Sequence, residues 1–169
     1  MAAREEKKKF ALDSNFLLDL ADERDFAHTF REVFQEKGYV LLVPPTAIQE
    51  LTFASIRKAG EVQELSHRAL VCAREWGLRP FDLIPVYHGI AQQFSRSLIS
   101  RGLLPEGEVH DGQMLGETSL AAIQVLVTSD HHLLDIDEAK LLTAFNDSDL
   151  FPVRPFHPKN LLKAIGAVT

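Results

Sequence analysis

Five acids, Asp13, Glu50, Asp111, Glu117 and Asp130, are spread over most of a 169-residue chain. Asp13 and Asp130 end short apolar runs, and the other three lie on helices expected to adjoin such runs. Asp13 ends Phe10-Ala11-Leu12, and Asp130 follows the run that begins Val125-Leu126-Val127. If both runs are parallel strands, the two acids lie at the carboxyl edge of one sheet, where open α/β sheets bind ligands. Glu50 sits in the first turns of the helix leaving the run 39–43, and that helix starts at the same edge. Asp111 and Glu117 lie in the first half of a helix running antiparallel to its following strand, so that half returns to the edge as well. Carboxylates crowded without Lys or Arg repel one another and hold their protons unless a cation neutralises them. An oxygen-only donor set suits Mg²⁺ or Mn²⁺. Such an ion can activate water for in-line attack on a phosphodiester.

A single acid at any of these positions has a plainer reading. An Asp after a strand is usually a turn or helix cap, Glu50 would favour the helix dipole, and Asp111 would be an N-cap. The argument for chemistry rests on their convergence.

The elements that must position the acids are legible as periodicities. The expected order is a strand at 10–12, helices over 15–20 and 25–37, and a strand at 39–43 that is apolar on both faces. Thr46-Ala47-Ile48-Gln49 matches a capping box and starts a helix at Thr46. A helix over 61–76 uses Leu65, Ala69, Val71, Cys72 and Trp76 as its apolar positions. A weaker strand at 81–86, a helix over 88–101, a connector at 103–109 and a helix over 111–124 follow. Strand 125–130, helix 136–146, strand 150–153 and helix 158–164 complete the chain. Short strands alternating with helices imply α/β: a three-layer α/β/α sandwich with a central, mostly parallel sheet. Phe26, Phe30 and Phe34, spaced by four, are core or a dimer face rather than platforms for bases.

Composition narrows the function. A net charge of −6 excludes a broad basic DNA-binding face. The charge is uneven: residues 102–150 carry −9, whereas 51–101 and 151–169 each carry +3. The single cysteine, Cys72, allows no internal disulfide and no cysteine-based zinc site. It reads as a buried small apolar residue, and the cytoplasm is the expected compartment. No run is long enough to cross a bilayer, so no membrane partner is expected.

Phe10-Ala-Leu-Asp13-Ser-Asn15, Pro44-Pro-Thr-Ala-Ile-Gln-Glu50, His110-Asp111-Gly-Gln-Met-Leu-Gly-Glu117 and Val125-Leu-Val-Thr128-Ser-Asp130 resemble, in order, the motifs of PIN domain nucleases. The resemblance runs from Phe10 to about Phe156 and implies a PIN-like (PilT N-terminus) fold. It implies a metal-dependent nuclease acting on single-stranded or structured RNA, with Asp13, Glu50, Asp111 and Asp130 as catalytic, metal-binding acids. Glu117 matches a further acid of the family, and Asn15 and Thr128 match polar residues that support the first and last acids. VapC-like toxins neutralised by an antitoxin, and homodimers, are among the members it resembles. One domain over 1–169 is expected, with a basic tail at 1–9. The stretch between the second and third acids is longer than compact members need, so a helical elaboration is expected around 51–105.

His110, His131 and His132 flank the acids and read as rim residues that could also ligate a softer metal or position a phosphate. Arg57, Lys58, Arg68, Arg74, Arg79, Arg96 and Arg101 could guide an RNA backbone or simply face solvent. A HAD-type phosphatase would need a second Asp where Asn15 stands, and the paired acids and late Lys of a response-regulator receiver are not evident. The competing reading is a PIN-fold protein-binding or regulatory module without nuclease activity.

Overall fold

The apolar runs become the strands of one sheet. In a computed structural model describing residues 8–166, the strands are β1 (Lys9–Leu12), β2 (Val40–Val43), β3 (Arg79–Pro80), β4 (Val125–Val127) and β5 (Arg154–Phe156). All four pairings are parallel, in the order β3-β2-β1-β4-β5. Helices cover both faces, giving a PIN-like α/β/α sandwich. They are α1 (Ser14–Ala21), α2 (Asp25–Glu36), α3 (Pro45–Arg57), α4 (Glu61–Cys72), α5 (Pro85–Ser100), α6 (Val109–Leu120), α7 (His131–Leu134), α8 (Glu138–Asp147) and α9 (Pro158–Ala164). Of the basic tail at 1–9, residues 1–7 lie outside the described residues and Lys9 opens β1.

The core explains why these segments fold as they do. Ala11, Leu12, Leu126 and Val127 are fully buried in the adjacent central strands, so sheet and helix layers exclude water together. Phe30 stacks against Phe10 and Phe34 meets it edge-on, and Phe10 stacks on Tyr39 at 4.6 Å between centroids. The phenylalanine stripe of α2 is therefore core, with half-buried Phe26 at its margin beneath Lys159. Gly38, at φ +88°, ends the helix in a conformation that only glycine adopts without strain.

Several boundaries differ from the periodicities. The strand expected at 81–86 is the two-residue β3, because Pro85 is the first residue of α5. The last strand is Arg154–Phe156 rather than 150–153, set by pairing of Val125 with Arg154. β3 and β5 are the outer strands, and each contains a proline, which an edge position tolerates and an inner one does not. Helix 111–124 ends at Leu120, where Ala122 turns to φ 59°. α4 stops at Cys72, with Val71 exposed and Cys72 half-buried. α7 was not foreseen.

The order of strands reverses between β1 and β4: from β1 the chain moves outward to β2 and β3, then returns to add β4 and β5 on the other side. The carboxyl ends of β1 and β4 therefore flank a topological switch point, and Asp13 and Asp130 are the acids beyond them. α6, which carries Asp111, reaches this crevice by packing tightly on α5. A methyl group at Gly112 would come within 2.9 Å of the Ser95 Cα, and one at Gly116 within 3.0 Å of the Ala91 Cα. Backbone atoms cannot yield to either. Gly112→Ala is thus expected to lower stability by about 1–3 kcal/mol through overpacking, read as a lower urea midpoint, whereas Gly107→Ala, with open space around it, should leave the midpoint within error.

Candidate metal centre

Asp13 is placed by the sheet itself. Its N–H donates to Val127 O at 2.9 Å, extending the β1–β4 ladder, and its carbonyl accepts the first N–H bonds of α1. Although Asp13 is the N-cap of that helix, its side chain makes no capping bond. It turns inward, 1% exposed, to accept Thr128 Oγ1–H at 2.6 Å and Ser14 Oγ–H at 3.2 Å. Thr128 Oγ1 also accepts the Asp130 N–H at 2.9 Å. One hydroxyl thereby fixes both strand-end acids. Asp130 does act as a cap, accepting the His132 N–H at 2.9 Å to start α7. A cap uses only part of a carboxylate's accepting capacity.

Glu50 approaches from α3 and accepts weakly from Ser14 at 3.5 Å. Asp111, in the first turn of α6, is 5% exposed, and its Oδ2 is buried with no hydrogen-bond partner among the described residues. An orphaned buried carboxylate oxygen is costly unless something cationic meets it. Glu108, on the 3₁₀ turn before α6, completes a group in which one ligand atom each of Glu108, Asp111 and Asp130 lies within 4.8 Å of the others. Among the described residues, no Lys or Arg forms an ion pair with any of these acids.

Their proton affinities follow. Burial pushes Asp13 up to about 6, with the charge of Asp130 adding and the Thr128 and Ser14 bonds opposing. Burial, then the Asp13 charge, pushes Glu50 up to about 7. Asp111 is raised furthest, by burial first and then by Asp13, Asp130 and Glu108. These acids sense one another, so they form one electrostatic unit. Orphaned oxygen, mutual repulsion and an oxygen-rich donor set together fit a divalent cation.

Glu117 takes a different part. Both its oxygens are occupied by Thr46, the N–H at 3.1 Å and Oγ1–H at 2.8 Å. Burial raises its pKa and the Thr46 bonds oppose, while its charged neighbours are His88 and Asp82 rather than the acid group. The same contact corrects the capping box. Thr46 is the second residue of α3, behind the cap Pro44, and its hydroxyl serves Glu117 instead of the helix end. Asn15 lines the groove beside Glu50 and forms no hydrogen bond to Asp13; the support from α1 is Ser14. Glu108 and Ser14 are the two contributors missed in the sequence. Glu108 lies three residues before Asp111, a helical spacing that reading 103–109 as a connector concealed.

No family model matches this chain, and no curated protein does. Solved structures do. One is the VapBC2 complex of Rickettsia felis bound to a DNA fragment from its promoter, with a TM-score of 0.59 at 14% identity over 76% of this chain and 92% of that one. Another is VapBC-1 of nontypeable Haemophilus influenzae, at 0.57 and 15% over 89% and 98%. DNA-bound VapBC of Salmonella typhimurium gives 0.51 and 15% over 89% and 98%. The likeness is one of fold: this chain is a PIN-like α/β/α sandwich, the fold it shares with chains of these complexes, with an acidic cluster at its switch point.

The electrostatics set a sign for stability. Asp13, Glu50 and Asp111 keep their protons in the folded chain at pH values where the unfolded chain, ionising near pH 4, has lost them. Metal-free stability from these groups is therefore lost progressively as pH rises from about 4 through their folded values, about 6 for Asp13, about 7 for Glu50 and about 9 for Asp111. Asp111→Asn removes one of them. In EDTA it should be more stable than wild type at pH 8 by on the order of 1–3 kcal/mol, and the gap should close towards pH 4. A gap that widens on acidification would show that the carboxyls are held ionised by cationic partners.

Proposed function

We propose that this chain is a PIN-type ribonuclease that uses Mg²⁺ or Mn²⁺ to hydrolyse phosphodiester bonds of single-stranded or structured RNA, as the toxin of a toxin–antitoxin pair. The observation that supports this reading best is the buried, unpartnered Asp111 oxygen among acids that no Lys or Arg neutralises among the described residues. In this reading Glu108, Asp111 and Asp130 hold the cation, and Asp13 and Glu50 complete the charge around it. The cation supplies Lewis-acid activation of water and offsets charge developing on the phosphodiester. Thr128 positions Asp13 and Asp130 through one hydroxyl. Glu117, through Thr46, positions the start of α3 and hence Glu50.

The basic residues divide. Arg68 and Arg101 are tied to Glu23 and Asp147 at 2.7 Å, which weakens the case for their guiding RNA. Lys58 lines the groove that ends at Glu50 and His110, and is the cation best sited to meet a backbone phosphate. The same groove, of about 590 Å³, is walled by Leu18, Phe53, Ala54 and Val62. Its apolar walls suit a segment of an antitoxin, a partner supported by the fold shared with chains of VapBC complexes.

Purified protein is expected to cleave single-stranded RNA with Mg²⁺ or Mn²⁺, leaving 5′-phosphates, and to stop on adding EDTA. Asp13→Asn and Asp130→Asn should each lower kcat by at least roughly 100-fold while remaining folded by circular dichroism. Cleavage that persists in EDTA, or full activity in both variants, would overturn the reading. A folded wild type that neither cleaves RNA nor gains melting temperature from millimolar Mn²⁺ would instead be a binding module.

A further inference from the structure

Asp130 belongs to two donor groups. Besides the all-oxygen group with Glu108 and Asp111, it forms a second with His131 and His132, whose ligand atoms also lie within 4.8 Å of one another. The two imidazole rings are 4.1 Å apart between centroids, their planes tilted by 36°. Neither ring is held by a hydrogen bond among the described residues. Asp130 Oδ1 lies 3.9 Å from His131 Nδ1, and Glu108 Oε1 lies 3.6 Å from His132 Nε2, both beyond hydrogen-bond length.

Those separations have the scale of a coordination shell. Two ligand atoms about 2.1 Å from a tetrahedral ion stand roughly 3.4 Å apart, so small side-chain rotations would close the set. The His131 side chain is 75% exposed and free to rotate. The backbone beneath is fixed by the Asp130 cap on His132 and by Ser129 Oγ–H donating to Asp19 at 2.9 Å. Imidazole nitrogen favours Zn²⁺, Ni²⁺ and Co²⁺ over Mg²⁺, which prefers oxygen and retained water.

We propose that His131, His132 and Asp130, with Glu108 as a fourth donor, form a second cation site for Zn²⁺-like ions, and that its occupation inhibits the hydrolytic centre. The two groups share Asp130, and Glu108, a member of the all-oxygen group, lies 3.6 Å from His132 Nε2, so a Zn²⁺ ion bound by the histidines with both acids would draw them from the all-oxygen group. The inhibition rests on the ribonuclease reading above; the binding does not.

The test titrates the metal-stripped full chain with Co²⁺, a spectroscopic stand-in for Zn²⁺. Wild type is expected to develop the visible absorption of four-coordinate Co²⁺. His131→Ala and His132→Ala should each weaken Co²⁺ binding at least roughly 10-fold, with Mn²⁺ affinity changing by less than about 2-fold in calorimetry. Unchanged melting curves without metal will show that the variants fold. Equal Co²⁺ affinity in wild type and both variants overturns the site. Zn²⁺ should inhibit Mg²⁺-supported RNA cleavage by wild type, with a midpoint at least roughly 10-fold higher in the double His variant. An equal midpoint overturns the inhibition and leaves the ribonuclease reading standing. No RNA cleavage by wild type, with Co²⁺ binding that depends on the histidines, removes the ribonuclease reading and retains the site.

Discussion

Mutual repulsion among Asp13, Glu50, Asp111 and Asp130 is the constraint around which the switch point is built. Each acid is anchored by a segment whose position is decided elsewhere. Asp13 is carried by the β1–β4 ladder and Asp130 by the end of β4. Asp111 is carried by α6, whose glycines lock it against α5. Glu50 is carried by α3, whose first turn is tied to Glu117. The apolar burial of Leu12, Leu126, Val127 and Met114 stabilises these segments far from the charges. The acids cannot relax apart without undoing strands or helices that the core holds in place, so burial first and repulsion second appear as raised proton affinity of Asp13, Glu50 and Asp111 rather than as movement.

Neutral hydroxyls make this arrangement tolerable without cancelling it. A lysine or arginine at Thr128 or Ser14 would neutralise the group and fill the space a cation needs. A hydroxyl supplies a directional bond and no net charge. Thr128 is the clearest case, donating to Asp13 and accepting from the Asp130 backbone. It sets the separation of the two strand-end acids while leaving their charge available. Glu117 shows the converse. With Thr46 bonded to both of its oxygens, a buried carboxylate becomes a structural tie between α6 and α3, set apart from the acid group.

Much of this was legible in the sequence, for reasons that also explain what was not. Two-face-apolar runs such as 40–43 and 125–127 mark inner parallel strands, because burial on both sides leaves no polar face. An acid just beyond such a run is placed at the sheet's carboxyl edge by topology alone, as are Asp13, next to Leu12, and Asp130, past Thr128 and Ser129 at the end of a strand that stops at Val127 rather than at 130. The outer strands carry no such signal: Arg79-Pro80 and Arg154-Pro155-Phe156 are exposed or half-buried and interrupted by proline. Glu108 was hidden by the Pro105 and Gly107 around it, which read as a connector, although the chain had already begun to wind at Glu106. The Thr46–Glu117 pair spans 71 residues of sequence. Local rules assigned Thr46 to its own helix end because a distant partner leaves no local trace.

The charge distribution then takes on a different meaning from its sum. Residues 102–150 hold −9 of a chain whose net charge is −6, and Glu108, Asp111 and Asp130, all in this stretch, converge on one crevice. A polyanion approaching a bare crevice would meet a repulsive field focused by the low-dielectric walls around it. The raised pKa values of Glu50 and Asp111 soften that field, because a carboxyl that keeps its proton near neutral pH contributes less charge than its residue type suggests. A divalent ion would soften it further by displacing those protons and bringing positive charge of its own. If the proposed ribonuclease reading holds, the ion that completes the chemistry is also the group that lets a phosphate chain come near, and binding of nucleic acid and of metal would then be thermodynamically linked, each strengthening the other by the same factor.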